Sequence, residues 1–214
     1  MPGELTPGQR AVLDRLSESE LADQFYFTGE SALSAYYLHH RRSLDLDLFS
    51  RQPFDPKRVV RFLGSIAEGP LVPRRGQDRY EFTVPLAGER LRVEFVHYDF
   101  EPVADSGTRY GRLRVDSLRD LFANKLSAVI ERTEGKDFAD LYFLLQRPDA
   151  DLESALADCE AKFGWPGLRH LVQLAFLRVE RLEAWPATTP AVTLAEARAF
   201  FRERARSLID LGED

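Results

Sequence analysis

Residues 25–49 read FYFTGESALSAYYLHHRRSLDLDLF, and this stretch decides the fold. Its aromatic start, residues 25–27, predicts a strand that ends at the turn Thr28-Gly29, and residues 31–38 predict a helix. The segment 44–49 alternates between leucines and aspartates as far as Leu48, which is typical of a strand with one buried and one polar face. The stretch therefore predicts a strand, a tight turn, a helix and a second strand.

The second of these strands carries Asp45 and Asp47 on the same face, because side chains two residues apart in a strand point the same way. Two carboxylates held that close repel each other unless a cation lies between them. Hard oxygen ligands favour Mg²⁺, which usually also binds substrate phosphates. The same tripeptide also occurs as the solvated acidic face of a surface strand, so the motif alone leaves both interpretations open.

The turn between the first strand and the helix has the sequence Thr28-Gly29-Glu30-Ser31. A small-residue turn in this place exposes backbone N–H groups at a helix N-terminus, where anions bind, and Ser31 adds a hydroxyl donor. A Gly-x-Ser sequence before a helix is also commonly a simple cap. The turn is therefore a candidate phosphate site whose meaning depends on its neighbours.

A third carboxylate is offered by Glu94, in the predicted strand 91–98. If this strand pairs beside the strand 44–49, Glu94 joins Asp45 and Asp47. Three carboxylates around two Mg²⁺ ions are the arrangement for in-line phosphoryl or nucleotidyl transfer. The alternative for Glu94 is an exposed residue that forms a surface salt bridge.

The remaining pattern mixes strands and helices in the first half of the chain and predicts helices alone in the second. In the first half we expect helices over 6–21 and 55–67, strands around 71–73 and 80–86, a hairpin turn at 87–89 and a loop over 99–112. In the second half we expect helices over 117–130, 137–146, 151–163, 166–184 and 193–208. These patterns predict an α+β core, residues 1–115, followed by a helical C-terminal subdomain, residues 116–214.

The composition is that of a globular protein: 214 residues, of which 44% are hydrophobic and 30% charged. The net charge of −6 argues against a general nucleic-acid coat protein but leaves room for a local basic groove, such as residues 39–61. The single Cys159 excludes an internal disulfide and a thiolate metal site. Since the sequence has no apolar run of ~18 residues and a polar N-terminus, we expect a cytoplasmic protein without membrane association.

The run over residues 25–49 resembles the signature of the AbiEii/AbiGii-like nucleotidyltransferases. These are toxins of type IV abortive-infection systems, with relatives of the MenT type, within the polymerase-beta nucleotidyltransferase superfamily. Their pattern is Gly-Gly-Thr or Gly-Ser opening a helix, a basic turn, and Asp-x-Asp-hydrophobic-Phe. It corresponds here to Gly29–Ser31, residues 40–43 and residues 45–49.

A second block resembles the later motifs of the same family, a lysine, an arginine about two turns on, and Asp-x-x-Asp-Leu-Tyr. Here these are Lys125, Arg132 and the residues from Asp137 to Tyr142. Seven residues apart on one predicted helix, Lys125 and Arg132 share a face, from which they can stabilise a triphosphate and the leaving pyrophosphate. Asp137 and Asp140 also share a helical face, so that one can orient Lys125 or act as a base toward the incoming hydroxyl. Without the resemblance, the four residues indicate a surface ion-pair network.

The resemblance implies a small mixed sheet of the nucleotidyltransferase type, flanked by helices, with the C-terminal subdomain completing the active site. It implies a Mg²⁺-dependent enzyme with two ions on Asp45, Asp47 and Glu94. An NTP bound across Gly29 and Ser31, with Lys125, Arg132, Asp137 and Asp140 assisting, would pass its nucleotidyl group to an acceptor hydroxyl. RNA, notably the tRNA 3′ end, is the implied acceptor. The implied biological role is a toxin with a cognate antitoxin.

Two positions depart from the family pattern, Glu30 in place of a small residue and Glu94 in place of the commoner aspartate. A carboxylate beside a phosphate site repels it, unless the side chain points away or meets an arginine. The alternative function is therefore a catalytically weakened relative that binds nucleotides or partners. A glycosyltransferase and a haloacid-dehalogenase phosphatase fit less well, because the chain lacks a long α/β nucleotide half and because Arg41-Arg42-Ser43, not an apolar strand, precedes Asp45.

Overall fold

The computed structural model describes residues 3–76 and 78–210, apart from the side chains of Arg75 and Asp210. These residues divide into two compact units, Gly3–Leu118 and the chain from Arg119 onward. The first unit is built on a mixed sheet and the second on helices, which confirms the prediction of an α+β fold with a helical C-terminal region. Within the part that is described, no helix is both long enough and apolar enough to cross a membrane.

The first unit follows the predicted order of elements. Its helices and strands are α1 (Pro7–Glu18), β1 (Tyr26–Thr28), α2 (Gly29–Leu33), β2 (Asp45–Ser50), α3 (Pro56–Gly64), β3 (Val72–Arg75), β4 (Arg79–Leu86), β5 (Glu89–His97), β6 (Arg109–Tyr110) and β7 (Leu113–Val115). A π-helical turn, Ser34–Leu38, continues α2, so the single helix expected over 31–38 is two shorter pieces.

The seven strands form one sheet in the order β3-β4-β5-β2-β1-β7-β6. Strand β2 lies in its centre, antiparallel to β1 and parallel to β5. The hairpin between β4 and β5 turns at Ala87 and Gly88, which both have positive φ, at the predicted place. The two strands that frame the Asp-x-Asp motif are therefore the first strand of the chain and the strand that carries Glu94.

Strand β2 alternates as its sequence requires, with Leu46 and Leu48 fully buried and Asp45 and Asp47 half-buried on the other face. The buried leucines belong to a core that α1 covers with Val12, Leu13 and Leu16, and that includes Phe25, Phe27 and Phe95. Since a one-residue slip would move every side chain of β2 to the opposite face, this core fixes the register that places the carboxylates.

Strand β6 corrects the expectation of a loop over 99–112, and β7 follows it in residues for which the sequence predicted no element. They have two and three residues, too few for alternation to be recognised in sequence. Strand β7 is parallel to β1, with Phe27 opposite Val115. It extends the sheet beyond β1 and brings Asp116 next to the turn that follows β1.

The second unit comprises most of α4 (Leu118–Glu131), then α5 (Gly135–Leu145), α6 (Leu152–Phe163), α7 (Leu168–Leu177), a 3₁₀ turn (Arg178–Arg181) and α8 (Leu194–Asp210). Its apolar centre joins three of these helices through the buried rings of Phe138, Phe176 and Phe201, with centroids 5.2 Å apart for both pairs that include Phe201. The predicted helix over 166–184 is shorter than expected, because the α-helix ends at Leu177. Helix α8 begins after Thr193, whose hydroxyl accepts from the N–H of Glu196 at 3.2 Å, as predicted for a cap.

Candidate functional site

Three carboxylates meet on the polar face of the sheet where β2 and β5 pair. Asp47 lies directly opposite Glu94, and Asp45 lies opposite Arg92, two residue pairs away on the same ladder. Paired strands are about 4.8 Å apart, so Asp47 and Glu94 are neighbours on one face. The pairing of β2 with β5, which Glu94 needs in order to join the two aspartates, is present. Both aspartates and Glu94 are half-buried.

The Gly29 turn lies against the second of the two aspartates. Thr28, the last residue of β1, pairs with Asp47, and Gly29 follows with φ of +72°. A Cβ atom on residue 29 would be 2.0 Å from Oδ2 and 2.6 Å from Cγ of Asp47. Only a glycine therefore lets the backbone of this turn come so close to the carboxylate.

Glu30, the residue that departs from the family pattern, is paired with an arginine. Its carboxylate Oε2 is 2.9 Å from a guanidinium nitrogen of Arg41, and both side chains are buried. Arg41 belongs to the basic turn between α2 and β2. The negative charge at position 30 is therefore compensated by a partner on the same unit, which is one of the two conditions under which a carboxylate is compatible with this turn.

Ser31 lies at the centre of a buried network and not on the surface. Its hydroxyl lies 2.9 Å from the hydroxyl of Ser43, and it also contacts the backbone carbonyl of Asp45. The amide Nε2 of Gln9 in α1 donates to the Ser31 hydroxyl at 3.0 Å and to the carbonyls of Ser43 and Asp45 at 3.2 and 2.9 Å. The Ser31 side chain therefore connects the turn to the start of β2. Nucleotide binding at Ser31 stays a prediction, and it concerns the backbone of the turn.

Gln9 supports the site through hydrogen bonds that the sequence did not predict. The residue is fully buried, and it also completes a capping box with Thr6 at the start of α1. The capping pattern from Thr6 to Gln9 was visible in the sequence, but nothing local shows that the same side chain reaches the strand of the carboxylates 36 residues away.

Two arginines contact the carboxylates from neighbouring positions of the sheet. The Arg92 guanidinium binds Oδ2 of Asp45, and one nitrogen of Arg79 donates to both oxygens of Glu94, at 2.9 and 3.0 Å. Burial lowers the pKa of Arg92 and is the largest influence on it, but the hydrogen bond and the charge of Asp45 outweigh burial and raise the pKa above its ordinary value. The arginine therefore stays charged beside the aspartate.

Asp116 is a further acidic residue beside the turn. It follows β7, donates its N–H to the carbonyl of Phe27 at 2.9 Å, and accepts from the hydroxyl of Thr28 at 2.7 Å. Its own carbonyl accepts from the hydroxyl of Tyr37 at 2.8 Å. Asp116 thus fixes the residue before Gly29, and the sequence could not indicate this because β7 was not recognised.

The four residues of the second block form an ion-pair cluster within the second unit, in which Lys125, Asp137 and Asp140 are buried and Arg132 is 44% exposed. Nζ of Lys125 in α4 is 2.8 Å from Oδ1 of Asp137 and 2.7 Å from Oδ2 of Asp140, both on α5. Arg132 lies just after the last residue of α4 and donates to Asp137 at 2.7 Å. Since both aspartate side chains have 0% exposure, the cluster is not the surface network that was the alternative.

The charge of Asp137 depends on these two cations. Burial raises the pKa of Asp137 and is the largest single influence, but Lys125 and Arg132 together outweigh burial and lower the pKa below its ordinary value of 3.8. The aspartate is therefore ionised at neutral pH and holds both cations. The expectation that an aspartate orients Lys125 agrees with this geometry, and its catalytic role stays a prediction.

Within the first unit, the structure thus brings together Asp45, Asp47, Glu94 and the Gly29 turn, and within the second it brings together Lys125, Arg132, Asp137 and Asp140. The donor set of the first group consists of carboxylate oxygens, which suit Mg²⁺ and exclude a site for softer metals. The carboxylate of Asp47 can lie against the turn because residue 29 has no side chain. The residues present therefore fit a divalent ion that binds oxygen.

The sequence and the fold of this chain are similar to those of known proteins. The sequence model described as Nucleotidyl transferase AbiEii toxin, Type IV TA system matches residues 11–211, nearly the whole chain. An uncharacterized protein of Aquifex aeolicus (strain VF5) is 26% identical over 149 residues, which is 68% of this chain and 69% of the relative.

Two solved structures share the fold at low sequence identity. JHP933 from Helicobacter pylori has a TM-score of 0.61 and 18% identity, covering 94% of this chain and 89% of its own. MenT4, a nucleotidyltransferase toxin from Mycobacterium tuberculosis H37Rv, has a TM-score of 0.55 and 20% identity, covering 96% of this chain and 83% of its own. Because identity is this low, the likeness concerns the fold.

Proposed function

The chain belongs to the AbiEii family of nucleotidyltransferase toxins of type IV toxin–antitoxin systems, and from this premise we propose its reaction in more detail. The protein transfers a nucleotidyl group from an NTP to an acceptor hydroxyl and releases pyrophosphate, with two Mg²⁺ ions held by Asp45, Asp47 and Glu94. The acceptor is RNA, such as the 3′ end of tRNA. A cognate antitoxin protein is the partner that restrains the enzyme.

The observation that carries the proposal is the register between β2 and β5. It sets Asp47 opposite Glu94 on the face that also holds Asp45, and the glycine turn lies against Asp47. Three carboxylates this close repel each other unless cations neutralise them. Arg92 and Arg79 do this for Asp45 and Glu94 in the structure, and divalent ions would do it for all three carboxylates when bound. A site for divalent ions next to a glycine turn is an arrangement that suits in-line transfer at phosphorus.

When bound, the metal ions supply charge neutralisation of the phosphates and lower the pKa of the acceptor hydroxyl. The chain itself holds the carboxylates in place. The Gln9 amide and the Ser31 hydroxyl contact the carbonyl of Asp45 and fix the first residue of β2. The Gly29 turn lets the Asp47 carboxylate lie directly against the backbone, in a position that a Cβ atom on residue 29 would displace.

For the second unit we propose the roles that the family motifs imply. Lys125 and Arg132 provide positive charge for the triphosphate and for the leaving pyrophosphate. Asp137 contacts both cations, and Asp140 holds Lys125 from the second side. Because two carboxylates bind the ammonium group, Lys125 keeps a fixed position. Its side chain therefore needs little rearrangement during the reaction.

The pairing of Glu30 with Arg41 supports an active enzyme over the weakened relative. The concern about Glu30 was the repulsion of a phosphate by an uncompensated carboxylate. A buried guanidinium at 2.9 Å compensates that charge. The nucleotide-binding relative without turnover is therefore the outcome to be tested and not the function we favour.

The experiment is a transfer assay on purified protein with MgCl₂, each α-³²P-labelled NTP in turn, and total tRNA, analysed on a denaturing gel. Asp47→Asn is the inactivating variant, since it removes the charge next to Gly29 while keeping the shape of the side chain. Asp99→Asn is the matched control, because Asp99 is an exposed aspartate of the same unit. Wild type and Asp99→Asn are expected to label RNA with one preferred NTP, and Asp47→Asn is expected to label none.

Other results would change the conclusion in defined ways. Label in the protein itself would replace RNA by a protein acceptor. The absence of label with every NTP, together with a rise in melting temperature on adding NTP, would favour the binding module. Equal labelling by wild type and Asp47→Asn would refute the assignment of the carboxylates.

A further inference from the structure

Each end of the carboxylate group is bound by an arginine from the sheet itself. Arg92 on β5 contacts Asp45 across the β2–β5 ladder, and Arg79 on β4 binds both oxygens of Glu94. The two arginine side chains remain 45% and 51% exposed. Both guanidinium groups therefore reach solvent at the same place where they neutralise the carboxylates.

Such ion pairs are weak, because exposed arginine–carboxylate pairs contribute only about 0–1 kcal/mol each. A divalent ion on the same oxygens interacts more strongly and repels a guanidinium at that distance. Mg²⁺ at Asp45 and Glu94 would therefore compete with Arg92 and Arg79 for the carboxylate oxygens. Once released, both forks would remain beside the carboxylates, and Glu81, the other acidic side chain that acts on Arg92, is itself 3.6 Å from Arg74.

A guanidinium in this position matches a phosphate group, since its planar fork binds two phosphate oxygens at once. We infer that Arg92 and Arg79 are phosphate-binding residues of the transfer site, which hold the carboxylates while the metal is absent and bind a substrate phosphate once the metal is present. The inference rests on the proposed metal site. The phosphate belongs either to the NTP or to the backbone of the acceptor RNA, and both sources present the same chemistry.

The first test is metal binding by the protein without nucleotide, measured as free Mn²⁺ by electron paramagnetic resonance. If Arg92 competes with the metal for Asp45, Arg92→Gln removes the competitor, and the Kd for Mn²⁺ falls about three- to five-fold. Arg92→Lys keeps the charge and is expected to keep the wild-type Kd. Arg112→Gln is the control, because Arg112 is a similarly exposed arginine paired with Asp23 elsewhere in the unit.

The second test separates the two sources of phosphate through KM values in the transfer assay. Arg92→Gln, Arg92→Lys and Arg79→Gln are expected to raise one KM about ten-fold, since the bidentate contact needs the fork. A rise in the KM for NTP assigns the arginines to the triphosphate, and a rise in the KM for RNA assigns them to the acceptor. Arg112→Gln is expected to change neither.

The outcomes distinguish this inference from the proposed function. If wild type binds Mn²⁺ and Arg92→Gln binds it equally or more weakly, Arg92 supports the carboxylate structurally and the inference is wrong. If the Kd falls but both KM values stay unchanged, the phosphate role is wrong. If wild type binds no Mn²⁺ at all, the proposed metal site fails, and the inference fails with it.

Discussion

Replacing Gly29 by alanine tests whether the glycine turn sets the position of Asp47. The added Cβ would be 2.0 Å from Oδ2 of Asp47, where ordinary contact begins at 3.4 Å. The carboxylate, or the backbone that carries it, must therefore move by about 1.4 Å, since Cγ and Cβ of Asp47 are also closer than 3.0 Å. A displacement of about 1 Å in a reacting group costs on the order of 100-fold in rate.

The control for this variant is Gly88→Ala in the turn between β4 and β5. Gly88 has φ of +74°, almost the value of +72° at Gly29, and a Cβ on residue 88 meets no atom within 4 Å. Both variants force alanine into the left-handed region, which costs about 1–2 kcal/mol. The difference between them therefore isolates the collision with Asp47.

The assay is the initial rate of labelled transfer at saturating NTP and MgCl₂, with urea unfolding of both variants in parallel. We expect Gly29→Ala to lose at least about 100-fold in kcat, which corresponds to about 2.7 kcal/mol of activation free energy. Gly88→Ala is expected to lose stability alone. A Gly29→Ala enzyme within three-fold of Gly88→Ala would refute the reasoning, because Asp47 would then tolerate the displacement or take no part in the reaction.

Three further outcomes follow from the buried contacts. Gln9→Ala removes the buried amide that donates to the carbonyls of Ser43 and Asp45, so the free energy of unfolding in urea should fall by about 1–3 kcal/mol together with transfer activity. Asp140→Asn removes one of the two negative charges that are paired with Lys125, and it should lower the free energy of unfolding by about 1.5–3 kcal/mol at pH 7. Because the folded-state pKa of Asp137 lies below 3.8, its stabilising contribution is complete above that pH and is lost as pH falls through the folded pKa. The stability difference between wild type and Asp137→Asn should therefore be constant from pH 8 to 5 and shrink at pH 3.

The elements near the carboxylates could be predicted from sequence because their signals are local. The alternation of leucine and aspartate over 44–48 determines both the strand and the face of its aspartates, and the structure has β2 over Asp45–Ser50. A hairpin turn at residues 87–88 fixes β4 against β5. The pairing of β5 with β2 required one further assumption about topology, and it is the pairing that puts Glu94 opposite Asp47.

The contacts that support the site could not be predicted, because their partners are far apart in the chain. Arg92 meets Asp45 over 47 residues, and Thr28 meets Asp116 over 88. Neither contact produces a periodic pattern, and the second depends on a three-residue strand. From its place in the turn, the Ser31 hydroxyl is expected to donate to a bound anion, whereas in the structure it is buried and accepts from the Gln9 amide.

Glu30 shows how a departure from a family pattern can be resolved by a second residue. A buried carboxylate without a partner costs several kcal/mol, and one beside a phosphate site would also weaken binding of an anion. The chain places Arg41, from the basic turn that precedes β2, at 2.9 Å from this carboxylate. Removing one member of such a buried pair costs more than the pair contributes, since the other charge is left uncompensated. Glu30 and Arg41 therefore have to be compared with related sequences as a pair, and a glutamate at position 30 indicates lost activity only where the arginine is missing.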